Sequence, residues 1–226
     1  MQKEFRFNDI TDYIFYLSEL IVDLLQKTNR LKMYKNEIQQ IISLYPDKNF
    51  IQSELYETIS DKVNRLFQYL FNLLGDETKK AVSYKKYRKI LYKNRNSLGI
   101  VLNDLSQNEL NILADLNTHR NWGLHIPESL YIQKKEFFKM DKNFINKYNT
   151  TIPIPSYEYY EIQYLIELNR EIQEVLTASM TILDRMKSDY SALIGKEVKI
   201  EYEINQVKPY CFMDAVKNSL NAQKGK

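Results

Sequence analysis

Between Leu116 and Leu130 the chain reads LNTHRNWGLHIPESL, a stretch that holds both of its histidines, its single tryptophan, an arginine and one of its five glycines. Arginine keeps its charge and offers a planar fork of N–H donors that fits a phosphate, whereas histidine exchanges a proton near neutral pH. Arg120 and His125 therefore supply a charge clamp and a proton shuttle. Metal-free RNA cleavage needs these two functions when a 2'-hydroxyl attacks its own phosphate. Asn121 can orient either side chain or hydrogen-bond the phosphate itself. On an unbroken helix five residues turn through about 140°, so convergence of the two side chains needs a bend near Gly123 or a second copy facing the first.

The neighbours have simpler roles. His119 reads as a packing or partly exposed histidine, Trp122 as an anchor for the bend or a platform for a base, and Gly123 as a helix end or a point of close approach. A second candidate lies upstream in KKAVSYKKYRKILYKNRN, where Lys85, Lys86, Arg88, Lys89 and Lys93 are interleaved with Tyr84, Tyr87 and Tyr92. The cations can track an RNA backbone and the rings can stack on unpaired bases; the alternative is a solvated helix face with the tyrosines turned to the core.

Helices must position these residues. Apolar positions recur at helical spacing from Asn8 to Tyr45, with a possible break near Asn29 and an end at Pro46. A second helix is expected from about Phe50 to Leu74 with Gly75 as its cap, and a third stripe runs through Tyr84, Tyr87, Leu91, Leu98, Leu102 and Leu105. Ser106 and Glu109 have capping-box spacing and start the helix that carries Arg120, while Pro127 predicts a bend near residues 123–126. Residues 131–155 read as a polar insertion, Ser156 to Lys187 as a second long helix, and KEVKIEYEIN as a short strand or extended arm. The fold expected is all-α, an antiparallel bundle of four to five main helices over residues 1–190, with residues 191–226 as a C-terminal extension.

Composition narrows the chemistry. One cysteine and two histidines leave little for a zinc site, and no Gly-rich phosphate loop, nucleophile elbow or Glu-x-x-His pair occurs, so neither a metal nor another cofactor is expected. The carboxylates at helical spacing, Glu54, Glu57 and Asp61, and Glu167, Glu171 and Glu174, are assigned to solvent. The net charge of +3 is too small to announce a nucleic-acid binder by itself. No apolar run approaches a membrane span and no signal peptide is evident, which points to the cytoplasm.

RNWGLH, residues 120 to 125, resembles the R-x4-6-H signature of the HEPN superfamily, in which a polar residue, commonly Asn, Asp or His, follows the arginine. The resemblance covers this motif and the helical layout. It implies a bundle that dimerises and places two motifs along a shared cleft, with Arg120 and His125 catalytic and Asn121 supportive. It further implies a metal-independent endoribonuclease of a toxin–antitoxin or antiviral-defence system, leaving a 2',3'-cyclic phosphate, with a homodimer, an RNA substrate and a cognate antitoxin or regulator as partners. HepT-type members carry a tyrosine two residues after the histidine, where this chain has Pro127, so that branch does not fit. The alternative is a catalytically inactive helical module that dimerises or binds a protein or RNA.

Overall fold

The computed structural model describes residues 7–44, 49–78, 82–124, 132 and 156–204. Among them are five helices: α1 (Ile10–Leu44), α2 (Ser53–Gly75), α3 (Tyr84–Asn94), α4 (Gln107–Leu124) and α5 (Gln163–Ile194). Two three-residue strands, β1 (Phe50–Gln52) and β2 (Tyr159–Glu161), pair antiparallel with Ile51 opposite Tyr160. The expected all-α bundle is what forms.

α1, α2, α4 and α5 run along the bundle with alternating direction between neighbours. Asp23 of α1 meets Tyr69 of α2, and Lys62 of α2 reaches back to Glu37 of α1. Gly75 of α2 abuts Asn117 of α4, and Glu109 of α4 meets Arg185 of α5. Leu17, Leu24, Leu31 and Ile38 of α1 recur every seven residues and are fully buried, facing Leu165, Ile172, Ile182 and Met186 of α5 within one continuous core. α1 is unbroken at Asn29, where Thr28 satisfies its hydroxyl on the Leu24 carbonyl of its own helix.

α3 lies at one end of the bundle and is held by polar as well as apolar contacts. Arg88 is only 5% exposed; its Nε donates to Asp189 Oδ2 at 2.8 Å and its Nη2 to the Asn103 carbonyl at 2.5 Å. The Tyr84 hydroxyl donates to the same Asp189 oxygen at 2.7 Å, and that of Tyr87 to the Tyr13 carbonyl at 2.9 Å. Nε and Nη2 of Arg88 and both tyrosine hydroxyls have partners, which is what makes their burial tolerable.

Three sequence expectations need correction. The third helix stops at Asn94, whose side chain turns back to the Ile90 carbonyl and across to Tyr13; Asn96, Ser97 and a left-handed Gly99 then carry the chain into an extended run. Phe50–Gln52 is a strand rather than a helix start, and the partner strand occupies Tyr159–Glu161, which was expected to be helical. Of the short strand or extended arm expected after Lys196, the arm is what the described residues show: it joins no ladder, Val198 N–H is taken by the Ser191 hydroxyl, Ile200 packs on the core, and Ile204 is 98% exposed. Gly75 is not a left-handed cap, because α2 ends with Asp76 at φ −61°. The insertion 131–155, the bend at Pro127 and the chain after residue 204 lie outside the described residues, apart from Ile132.

Candidate functional site

The helix bearing the motif starts as its sequence demands. The Ser106 amide and hydroxyl donate to Glu109 Oε2 at 2.6 and 2.8 Å, and the Glu109 amide returns to the Ser106 hydroxyl at 3.3 Å, a complete capping box. Arg185 of α5 adds two further bonds to the same carboxylate, at 2.7 and 2.9 Å. Burial raises the Glu109 carboxyl, but the hydrogen bonds from Arg185 and Ser106 outweigh it and hold the pKa at about 2.

α4 then crosses α2 at very short range. A Cβ on Gly75 would lie 2.8 Å from the Asn117 amide nitrogen and 3.0 Å from the Leu116 carbonyl carbon, so the backbones touch where only glycine fits. One turn further along α4 this approach delivers Arg120 to the last turn of α2.

Three of the five guanidinium N–H groups of Arg120 are engaged there. Nε donates to Asn72 Oδ1 at 3.1 Å, Nη2 to Asp76 Oδ2 at 3.2 Å, and Nη1 to Asn121 Oδ1 at 3.0 Å. The other ends of these partners are fixed as well. Asn72 Nδ2 donates to the Gln68 carbonyl at 2.8 Å, which turns its oxygen toward the arginine, and Asp76 Oδ1 accepts from the Thr78 amide at 2.8 Å. The Arg120 side chain retains 12% exposure and that of Asp76 10%. An arginine clamped in this way has lost its rotamer freedom before any ligand arrives.

The structure therefore brings Arg120 and Asn121 together, with the asparagine oxygen on the arginine. His119 stacks on Phe71 of α2 with ring centroids 5.7 Å apart, the packing role expected of it. A Cβ placed on Gly123, which is still inside α4, would lie at an ordinary contact distance of 3.5 Å from the Gln68 side-chain nitrogen. His125, and the side chain of Trp122, lie outside the described residues.

On the far side of Asn72 and Asp76, a groove of about 410 Å³ runs between α1 and α2. Glu19, Asp23 and Asp76 line it, and Tyr69 donates its hydroxyl to Asp23 at 2.7 Å. A negatively lined groove repels phosphate, so a polyanion would have to meet Arg120 from the α4 side.

The basic stretch divides into different environments. Arg88, expected on an RNA-binding face, is buried with its guanidinium spent on Asp189 and Asn103, and Tyr84 and Tyr87 are 0% exposed, so none of the three can meet RNA. Lys85 pairs with Glu77 at 2.9 Å, and Lys89 is in contact with the same carboxylate. Those two lysine hydrogen bonds hold the Glu77 carboxyl below its usual range. Lys86 donates to the Thr78 carbonyl at 3.1 Å, and Lys93 is exposed.

Asn72 and Asp76, the residues that anchor Arg120, were missed from sequence. Their i, i+4 spacing at the polar end of an apolar stripe marks one face of α2, but nothing local says that Arg120, 44 residues beyond Asp76, will meet it. Among the described residues no three His, Cys, Asp or Glu side chains converge as a metal ion would require, and no helix is long and apolar enough to cross a membrane. Comparison with family models, curated proteins and solved structures finds no significant match.

Proposed function

We propose that the chain is a HEPN-like, metal-independent endoribonuclease acting as a homodimer, with Arg120, Asn121 and His125 as its catalytic set. The observation that carries this reading is the immobilised Arg120, held by Asn72, Asp76 and the adjacent Asn121. Its two remaining N–H groups, one on each terminal nitrogen, are the donors left for a phosphate. In the mechanism, His125 removes the proton from the 2'-hydroxyl as it attacks phosphorus, or protonates the departing 5'-oxygen, and Arg120 neutralises the charge that builds on the phosphate oxygens. The bond from phosphorus to the 5'-oxygen breaks, leaving a 2',3'-cyclic phosphate and a 5'-hydroxyl. Asn121 keeps the guanidinium in plane with its target.

RNA approach is assigned to the α4 side and to the exposed Lys93, with Lys85, Lys86 and Lys89 near the rim of the same end of the bundle. A toxin or antiviral-defence role, restrained by a cognate antitoxin or regulatory protein, accompanies the resemblance of the motif.

A second reading has an observation in its favour. Asp76 already neutralises Arg120, whose side chain is largely buried, and this suits a structural clamp in an inactive dimerisation or binding module. The two readings part on a substrate with a single ribonucleotide at the scissile position. The nuclease cleaves the ribose form in EDTA and leaves the 2'-deoxy form intact, and His125→Ala lowers the rate by about 10² to 10⁴-fold. Absence of cleavage by wild type, or equal rates for wild type and His125→Ala, supports the module.

A further inference from the structure

The opposite end of α2 carries a surface that the catalytic proposal does not use. There the β1–β2 ribbon brings four tyrosines into one cluster. The ring centroids of Tyr56 and Tyr160 lie 4.6 Å apart, those of Tyr160 and Tyr164 5.9 Å, and those of Tyr157 and Tyr160 6.1 Å. Tyr157 is 60% and Tyr164 49% exposed, so these two rings of the cluster are open to solvent. Ordinary packing does not explain large aromatic side chains left so open side by side.

Carboxylates outnumber cations around them. Residues 49–61 and 156–174 contain eight carboxylates and one cation, Arg170, with Lys35 of α1 bonded to Gln173 and Lys62 following Asp61 at their edge, in a chain whose net charge is +3. Glu57 accepts the Tyr160 hydroxyl at 3.1 Å, and Glu54, Glu158, Glu161 and Glu167 are exposed nearby in the sequence. Glu171 is held above the usual carboxylate range by burial first and then by repulsion from Glu174, with Arg170 opposing the rise. Arg170 lies 3.8 Å from Glu174.

Electron-rich ring faces beside carboxylates attract cations twice over, through the ring quadrupole and through direct charge. Among the described residues no three carboxylates converge on a point, so a bound metal ion is not what the arrangement fits. The spacing fits a chain instead. Alternate side chains of an extended peptide stand about 6.8 Å apart on one face, close to the 5.9 and 6.1 Å steps between Tyr164, Tyr160 and Tyr157. β1 and β2 form a two-stranded ribbon, pairing only with each other among the described residues.

We infer that the tyrosine cluster at the ribbon end of the bundle is a docking surface for a lysine- or arginine-rich extended segment of a protein partner. Its cations at alternate positions sit over Tyr157, Tyr160 and Tyr164, and the surrounding glutamates set the polarity of the partner. The surface is separated from Arg120 by roughly 27 Å of α2, so occupancy leaves the motif accessible.

The test uses the full chain and two labelled ten-residue peptides of equal charge, one alternating lysine with threonine and one with its five lysines in a block. Fluorescence anisotropy at moderate salt is expected to give saturable binding of the alternating peptide, about tenfold tighter than the block isomer. Tyr157→Ala with Tyr164→Ala removes that preference; Tyr157→Phe with Tyr164→Phe, which keeps the rings, retains it; Asp184→Asn, at the far end of α5, changes nothing. Equal affinity for both peptides reduces the effect to bare charge and overturns the proposal. So does a preference that survives loss of both rings, no binding at all, or sedimentation showing that the rings instead join two copies of the chain.

Discussion

At the residue scale, the central object is an arginine three of whose five N–H donors are held within the chain. Asp76→Asn keeps the shape of the clamp but removes the charge facing Arg120, leaving a largely buried guanidinium with weaker acceptors. A loss of about 1 to 3 kcal/mol is expected, read as a lower urea midpoint at unchanged slope. Arg88 sits deeper, and its truncation strands Asp189, which is 1% exposed. Arg88→Ala is expected to cost about 3 to 5 kcal/mol, against near-neutrality for Lys93→Ala, and thermal melts of the two variants side by side measure the contrast. Sequence could not separate these two cations. Both stand in the same lysine-rich helix, and only the fold supplies the partner of Arg88 at position 189, 101 residues away.

Glu109 gives a residue-scale prediction with a definite pH window. Its folded pKa of about 2 lies below the unfolded value of 4.5, so the stabilisation is complete above pH 4.5 and is lost as pH falls toward 2. The contribution is on the order of 3 kcal/mol. In urea titrations between pH 7 and pH 2.5, Glu109→Gln is expected to flatten this acid limb; a limb of unchanged steepness would place the protons elsewhere.

At the element scale, α4 is legible from its first residues and then depends on a contact that sequence does not announce. Ser106 and Glu109 are three apart, and their capping box acts locally, so the helix start is readable without the fold. Gly75 reads from sequence as a cap because glycine commonly follows a helix, whereas its use is to let α4 touch α2. Gly75→Ala pushes a methyl into the Asn117 backbone and is expected to cost about 2 kcal/mol. It should also impair any cleavage activity, because the displaced α4 carries Arg120 away from Asn72 and Asp76. Paired measurement of melting temperature and RNA cleavage in this variant tests that coupling. The ribbon escaped sequence reading for a related reason: three-residue strands leave no periodicity to detect, and their pairing joins positions 107 to 111 residues apart.

At the scale of the whole molecule, the bundle itself was the most readable feature. Long apolar stripes with buried residues every seven positions in α1, and their counterparts in α5, determine an all-α core almost independently of the loops. What periodicity does not encode is which ends meet. The N-terminal end of α4, the C-terminal end of α5 and all of α3 come together around Asp189, while β1 and β2 close the opposite end. The arginine clamp thus lies at the α3 end of α2 and the tyrosine cluster at the other.

The claim that Arg120 serves chemistry rather than architecture alone is tested most directly by single-turnover cleavage of single-stranded RNA in EDTA, comparing wild type with Arg120→Ala after circular dichroism has established equal helicity. The account predicts products ending in 2',3'-cyclic phosphate from wild type and a loss of about 10²-fold or more in the variant. Cleavage at the same rate and sites by folded Arg120→Ala would contradict it.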